Sequence, residues 1–287
     1  MGRIIFASDY EGTYHILDGH PAESEVEAVR KFRREGNLFG IVTNRDGFEA
    51  MANMGEYEEE YDFIVCSTGA CTIIRLPVEA GKYGAPTRIF TDTANRYFLG
   101  ELYDLFISVG TSYINADVLG FRGGDGEAKR FRDEYDPALG LGCWAHYWGG
   151  GGKYYHNIVN RHALSSVTDF TQCRAVFKNS ITAEGVAGEV NRRYNGWLHA
   201  YSVGNSAVVL PEGSNKALGV RRFAEFAGFS ADDVWTFGDG AEDACMLSAF
   251  NGIAMKNAHP SAAAAAATTA GSVEEAIEIA LRGNDRR

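Results

Sequence analysis

The chain has 287 residues, 45% hydrophobic and 23% charged, and a formal net charge of -11. Such a composition suits a water-soluble globular protein of one or two domains, long enough to bury roughly three quarters of its unfolded surface. The acidic balance, without a Lys/Arg stripe, argues against a nucleic-acid partner, and no apolar run reaches the ~20 residues that cross a bilayer.

The five cysteines, Cys66, Cys71, Cys143, Cys173 and Cys245, contain no C-x-x-C pair. A reduced, cytoplasmic setting fits them better than a disulfide framework or a zinc site. The first residues lead into a strand without a basic and then apolar segment, so no signal peptide is expected.

Apolar residues 4–7 lead to Asp9, Glu11 follows two residues on, and Gly12-Thr13 turns the chain away. A buried strand ending this way sets two acids at the carboxyl edge of a parallel sheet, where open α/β sheets bind ligands. Residues 23–35 carry Val26, Val29 and Phe32 on one helical stripe, acids early and bases late, with Gly36 as the stop. Short buried strands are predicted at 38–42, ending at Thr43-Asn44-Arg45, and at 63–66, ending at Ser67-Thr68-Gly69-Ala70. Repeated strand–helix alternation implies parallel strands with right-handed crossovers.

From about Gly81 the texture changes to an aromatic- and glycine-rich segment without that rhythm. It includes Trp144, Tyr147, Trp148, a Gly149–Gly152 run, Tyr154 and Tyr155. These aromatics read as packing or as a substrate platform. His146, His156 and His162 have spacings that fit no familiar metal site. A helix is predicted at 186–195 and strands at 198–203 and 207–210. The alternation then resumes with a helix at 216–226, a strand at 234–237, a helix at 242–249 and a strand at 251–255. The alanine-rich residues 261–270 read as a helix, as do 272–281, with Ser272 as N-cap and Glu275 as its capping-box partner. The expected architecture is a doubly wound α/β core at 1–81 and 211–287, interrupted by an α+β domain at 82–210.

Chemistry concentrates where core strands end. The Thr43 hydroxyl and the N–H groups after it suit a phosphoryl oxygen, and Lys216, opening a helix, offers a point charge to the same group. Gly238-Asp239-Gly240-Ala241-Glu242-Asp243 carries Asp239 and Asp243 across a strand-to-helix turn. With Asp9 these form an all-oxygen site suited to Mg²⁺.

The four segments, Asp9-Tyr10-Glu11-Gly12-Thr13, Thr43, Lys216 and Gly238–Asp243, resemble in order and spacing the motifs of the haloacid dehalogenase superfamily. Thr43-Asn44-Arg45, Ser67–Ala70, Asn215–Leu218 and Ala254–Ala258 are further similar to its Cof-type phosphatases. The resemblance implies a HAD-like core with an inserted cap between the second and third motifs. It implies an Mg²⁺-dependent phosphatase acting on a small phosphorylated metabolite, by default a sugar phosphate, with oligomeric state left open. Asp9 would be the nucleophile, forming an aspartyl-phosphate, and Glu11 the acid/base. Asp9, the Glu11 backbone carbonyl and Asp239, with Asp243 in or near the shell, would hold the metal. Thr43, Asn44, Arg45, Lys216 and Asn257 would bind the phosphoryl group.

The chain departs from the family pattern in four places: Glu11 for Asp, Asn44 for Gly, Glu242 for Asn and Lys256 for Gly. Glu242 and Lys256 are candidates for a mutual ion pair. The alternatives are a phosphotransferase or mutase on the same scaffold and a weakly catalytic binder of phosphorylated ligands.

Overall fold

A computed structural model describes residues 2–14, 21–45, 61–75, 88–118, 142–149, 153–158, 164 and 167–285, with backbone alone for 142–149 and 153–158. In chain order the first elements are β1 (Ile5–Asp9), α1 (Glu23–Arg34), β2 (Leu38–Val42), β3 (Phe63–Cys66), β4 (Cys71–Ile74) and β5 (Arg88–Thr91). Next come α2 (Tyr97–Ser108), β6 (Tyr113–Val118), β7 (Gly142–Gly149), β8 (Lys153–Ile158), β9 (Phe170–Val176), α3 (Ser180–Arg193), β10 (Leu198–Val203) and β11 (Ser206–Pro211). The chain closes with α4 (Lys216–Ala227), β12 (Val234–Gly238), α5 (Ala244–Ala249), β13 (Asn251–Met255), α6 (Pro260–Ala265), β14 (Thr268–Ala270) and α7 (Val273–Asn284). Two compact units result, one of Met1–Phe90 with Asn215–Arg287, the other of Thr91–Ser214.

The first unit is built on an eight-stranded sheet of order β14-β13-β12-β1-β2-β3-β4-β5. Its centre is parallel, β13–β12–β1–β2–β3, and β4 returns antiparallel to β3. Every residue of β1, β2 and β12 is buried, as expected of parallel strands covered on both faces. Glycine at position 40 answers a packing demand, since a Cβ there would lie 2.1 Å from the Phe63 ring. That ring stacks on Phe223 of α4 with centroids 3.7 Å apart, fixing the helix that carries Lys216 against the sheet.

The second unit holds a six-stranded sheet of order β10-β11-β9-β6-β7-β8, antiparallel except for β6–β7. Ile114, Ala116, Cys173, Ala175, Ala207 and Val209 face its core, packed with Leu102 and Phe106 of α2 and Val186 and Val190 of α3. The Asn191 amide clamps α3 to β10, donating to the Ala200 carbonyl at 2.8 Å and accepting the Ala200 N–H at 2.7 Å. The aromatic run falls on β7 and β8, where His146 and His156 are register partners. Residues 150–152 of the glycine run and His162 lie outside the described residues.

Two local expectations are corrected. Residues 261–270 do not form one helix: α6 ends at Ala265, and Thr268–Ala270 pairs with β13 as an edge strand. The β-branched pair Thr268-Thr269 favours extended backbone over the helix its alanine neighbours prefer. Ser272 does cap α7, accepting the Glu275 N–H at 3.1 Å, but the Glu275 carboxylate reaches Gly271 N–H at 2.7 Å, one residue before the N-cap.

Buried Glu25 joins α1 to α7 by accepting the Val273 N–H at 3.0 Å. Burial is the main cause that raises its carboxyl above the ordinary glutamate value. A raised folded-state value means the folded protein holds this proton more tightly than the unfolded chain, so its stability contribution is lost as pH climbs through that value. Glu25→Gln is therefore expected to melt above wild type at pH 8, with the gap closing toward pH 4; paired thermal melts across that range check it.

Candidate active site

Four chain segments meet at the carboxyl edge of the first unit's sheet. β1 delivers Asp9, the end of β2 delivers Thr43-Asn44-Arg45, and β12 delivers the turn 239–243. α4 delivers Lys216 as its first residue, because the Asn215 side chain accepts the Leu218 N–H at 2.9 Å and starts the helix there.

Lys216 is the centre of the arrangement. Its Nζ lies 2.7 Å from Asp9 Oδ1 and 2.5 Å from Asp243 Oδ1, with the ammonium and the Asp243 carboxylate at 0% exposure. Burial, reinforced by Asp243, pushes the Asp9 carboxyl well above the usual range against the pull of Lys216. Burial alone would lower the Lys216 ammonium, but Asp243, Asp9 and Glu242 outweigh it and hold it well above its ordinary value. The second Asp243 oxygen is occupied as well, accepting Asp239 N–H at 3.0 Å and Gly240 N–H at 2.8 Å.

Asp9, Asp239 and Asp243 each offer an oxygen within 4.8 Å of the others. Asp239 is steadied by Thr13, whose hydroxyl donates to Oδ1 at 2.7 Å. Gly12, at φ +83°, leaves the space that Asp239 uses, since a Cβ there would lie 2.9 Å from Asp239 Oδ2. Three carboxylates around one ammonium leave an excess of negative charge, and an all-oxygen donor set is the chemistry of a hard divalent cation. The residues therefore fit a metal such as Mg²⁺, with Asp9 Oδ2 and Asp239 Oδ2 the oxygens not engaged by Lys216 or Thr13. Asp243 also holds the ammonium through Oδ1 and the turn through Oδ2.

The predicted phosphoryl-binding residues are gathered differently from expectation. Thr43, fully buried, donates its hydroxyl to Glu11 Oε2 at 2.8 Å, and Arg45 forms an ion pair with Glu11 Oε1. The extra methylene of Glu11 thus carries its carboxylate to the two groups expected to receive a phosphoryl anion. Asn44 donates its amide to Glu242 Oε1 at 2.7 Å and accepts the Thr68 hydroxyl at 3.3 Å. Burial opposes charge on Glu242, but Lys216 and the Asn44 hydrogen bond hold its carboxyl below the usual value.

The anticipated Glu242–Lys256 pair does not form: Lys256 reaches Glu275 at 3.0 Å, on the surface beyond β13. The two departures that do meet are Asn44 and Glu242. Asn257 is exposed in the turn after β13, which the His259 N–H ties to the Asp239 carbonyl at 2.8 Å.

Two contributors went unassigned in the sequence. Thr13 was visible as the last residue of its motif. The turn Ser67–Gly69 stands in the sequence as a strand end, but its backbone geometry does not. Ser67 and Thr68 sit at φ 47° and 52°, a left-handed conformation costly for a β-branched residue. Their N–H groups donate to the Arg45 and Thr43 carbonyls at 2.7 and 3.3 Å. Gly69, at φ +94°, lets the turn meet α4, since a Cβ there would fall 1.9 Å from the Asn215 carbonyl oxygen.

A parallel α/β sheet interrupted by an inserted unit, with carboxylates after its first strand and a lysine heading a later helix, defines the haloacid dehalogenase class of fold. Residues 152–280 match the family of haloacid dehalogenase-like hydrolases. A putative HAD/COF-like hydrolase of Plasmodium vivax superposes with a TM-score of 0.68 at 17% identity, covering 99% of this chain and 96% of that one. A Bacteroides thetaiotaomicron protein described among the phosphatases of the superfamily gives 0.67 at 17% identity, covering 98% and 95%. An uncharacterised Geobacillus stearothermophilus protein is 49% identical over 55 residues, or 19% of this chain; the chain spans 58% of that curated relative. The second half of the chain thus matches the model of the haloacid dehalogenase-like hydrolases, and the chain as a whole has the fold of the Cof-like structures. Among the described residues no helix is long and apolar enough to cross a membrane.

Removing one member of a buried ion bridge strands the others, at a cost of about 3–5 kcal/mol. Lys216→Met is expected to lower the unfolding free energy by about that amount, measured by denaturant titration. A loss below about 1 kcal/mol would mean that Asp9 and Asp243 find other compensation.

Proposed function

We propose that this protein is a cytoplasmic, Mg²⁺-dependent phosphatase that hydrolyses a small organic phosphate monoester by way of a phosphorylated Asp9. The observation that carries the reading is the buried bridge of Asp9, Lys216 and Asp243 beside Asp239. It holds the proposed nucleophile beside one positive charge, among carboxylates whose excess negative charge a divalent cation would balance. Bound by Asp9, Asp239 and the Glu11 backbone carbonyl, with Asp243 behind, the Mg²⁺ would neutralise charge on the transferring group.

Asp9 attacks phosphorus, the P–O bond to the leaving alcohol breaks, and Glu11, which takes up a solvent proton once the ester has displaced it from Arg45, gives that oxygen its proton. Glu11 then takes a proton from water as the water attacks the acyl phosphate, releasing phosphate and restoring the Asp9 carboxylate. Lys216 holds Asp9 in line and faces the phosphoryl charge throughout. Thr43 and Arg45 receive phosphoryl oxygens, so an arriving ester displaces Glu11 from both and frees it for the leaving oxygen. Asn44 and Asn257 complete the surroundings of that group, Asn44 through its grip on Glu242. The inserted unit, between about residues 82 and 210, serves as a cap that selects the organic portion of the substrate.

Sugar phosphates head the list of substrates because of the family resemblance, and a screen of phosphorylated metabolites for phosphate release tests the assignment. Asp9→Asn should abolish release without altering the fold, and chelator should abolish it in wild type until Mg²⁺ is restored. Transfer of the phosphoryl group to a second substrate, with little free phosphate, would favour a phosphotransferase. Binding of phosphorylated ligands without either outcome would favour a non-catalytic binder.

The grip of Thr43 and Arg45 on Glu11 generates a further expectation. Glu11→Ala should lower turnover of alkyl phosphates by about 10²–10⁴-fold, the usual contribution of a general acid, and largely spare nitrophenyl phosphate. Inhibition by inorganic phosphate should tighten in the same variant, because the internal carboxylate no longer competes. Equal losses on both esters, with unchanged phosphate inhibition, would remove Glu11 from both roles.

A further inference from the structure

Cys66 and Cys71 are register partners across the β3–β4 hairpin, at the positions that close its turn. Directly opposed residues of an antiparallel pair have Cα atoms about 4.5–5.5 Å apart and side chains on one face, within the roughly 4.4–6.8 Å that a disulfide spans. The Cys66 thiol is aimed across the ladder, with Sγ 3.6 Å from the Cys71 carbonyl oxygen. Cys66 is buried and Cys71 is part-exposed, so one thiol meets solvent and the other waits behind it.

Cys173 lies in the core of the second unit, and burial pushes the Cys245 thiol up. The four residues enclosed by the Cys66–Cys71 pair are the turn whose amides hold the Thr43 and Arg45 carbonyls and whose glycine meets Asn215.

We propose that Cys66 and Cys71 are a modification site, forming a reversible disulfide that clamps this turn. A small-molecule disulfide such as glutathione disulfide is the oxidant. The Cys71 thiolate attacks one of its sulfurs, expels one glutathione thiolate and becomes a mixed disulfide. The Cys66 thiolate then attacks Cys71 Sγ and expels the second. The protein loses two protons and two electrons, and the oxidant leaves as two reduced thiols. The cross-link removes open conformations of the hairpin, favouring the closed turn with its left-handed Ser67 and Thr68. Oxidation thus stiffens the floor under Thr43, Arg45 and Lys216. The thiol chemistry does not depend on the phosphatase assignment, which can fail separately.

Full-length protein is incubated with glutathione disulfide and examined by intact mass and peptide mapping. The expected product is lighter by about 2 Da, carries a Cys66–Cys71 cross-linked peptide, and reverts with dithiothreitol. Amide exchange at Ser67 and Thr68 should slow about tenfold in that product, since local opening now works against the cross-link. Cys71→Ser should keep the activity of the reduced protein and form no Cys66-linked product. A stable glutathione adduct on Cys71 with Cys66 still free, or no reaction at all, would overturn the proposal. Unchanged exchange at Ser67 and Thr68 in the cross-linked protein would overturn the clamp.

Discussion

Everything at the candidate site depends on a lysine ammonium held without solvent between two carboxylates. Lys216 can stay charged at 0% exposure only because Asp9 and Asp243 contact it, and they can be buried only because it is present. The three residues come from distant parts of the chain, after β1, at the head of α4 and after β12. Their bridge therefore ties both halves of the sheet to the helix that follows the inserted unit. The sheet supplies the rigidity that lets such a bridge sit in one geometry. β1 lies between β2 and β12, and stacked Phe63 and Phe223 press α4 onto the strands.

Around that bridge the polar groups are committed to one another in a definite order. Thr13 steadies Asp239, the Asp239 and Gly240 amides hold Asp243 Oδ2, and Thr68 and Glu242 engage the two ends of the Asn44 amide. Placing functional side chains through neighbours with little conformational choice is how a site at the ends of regular elements gains precision. Glu11 is the exception. Tied to Thr43 and Arg45, it is part-exposed at the rim, where its longer side chain can exchange partners.

The core was legible because buried parallel strands announce themselves as short apolar runs and their ends as acids, hydroxyls and glycines. Asp9, Thr43, Asp239 and Asp243 follow from that punctuation, Lys216 from its place at a helix start in the motif order, and the structure gathers them along one sheet edge. Four features were not legible, each for a physical reason. β14 hid in an alanine-rich stretch because edge pairing, not local propensity, decides its conformation. The Ser67–Gly69 turn carries no side-chain signature of its left-handed backbone. The pairing of Lys256 with Glu275 rather than Glu242 is set by the turn after β13, and pairing over such separations cannot be read from spacing. Cys66 and Cys71, four residues apart in between, become neighbours only once β4 turns back on β3.

The hydrogen bond between Asn44 and Glu242 has a consequence for how this sequence can change. Both residues stand where the family pattern has something else, and each satisfies the other across two strand ends. Altering one alone leaves either a part-buried carboxylate without its donor or an amide without its acceptor, a deficit of about 1–3 kcal/mol. Residues in direct contact do not contribute additively, so changing both together need not cost the sum. The pair is therefore a single heritable unit: a lineage crosses between the two wirings in one paired step or through a less stable ancestor. Among relatives of this chain, the residue at position 44 should announce the residue at position 242.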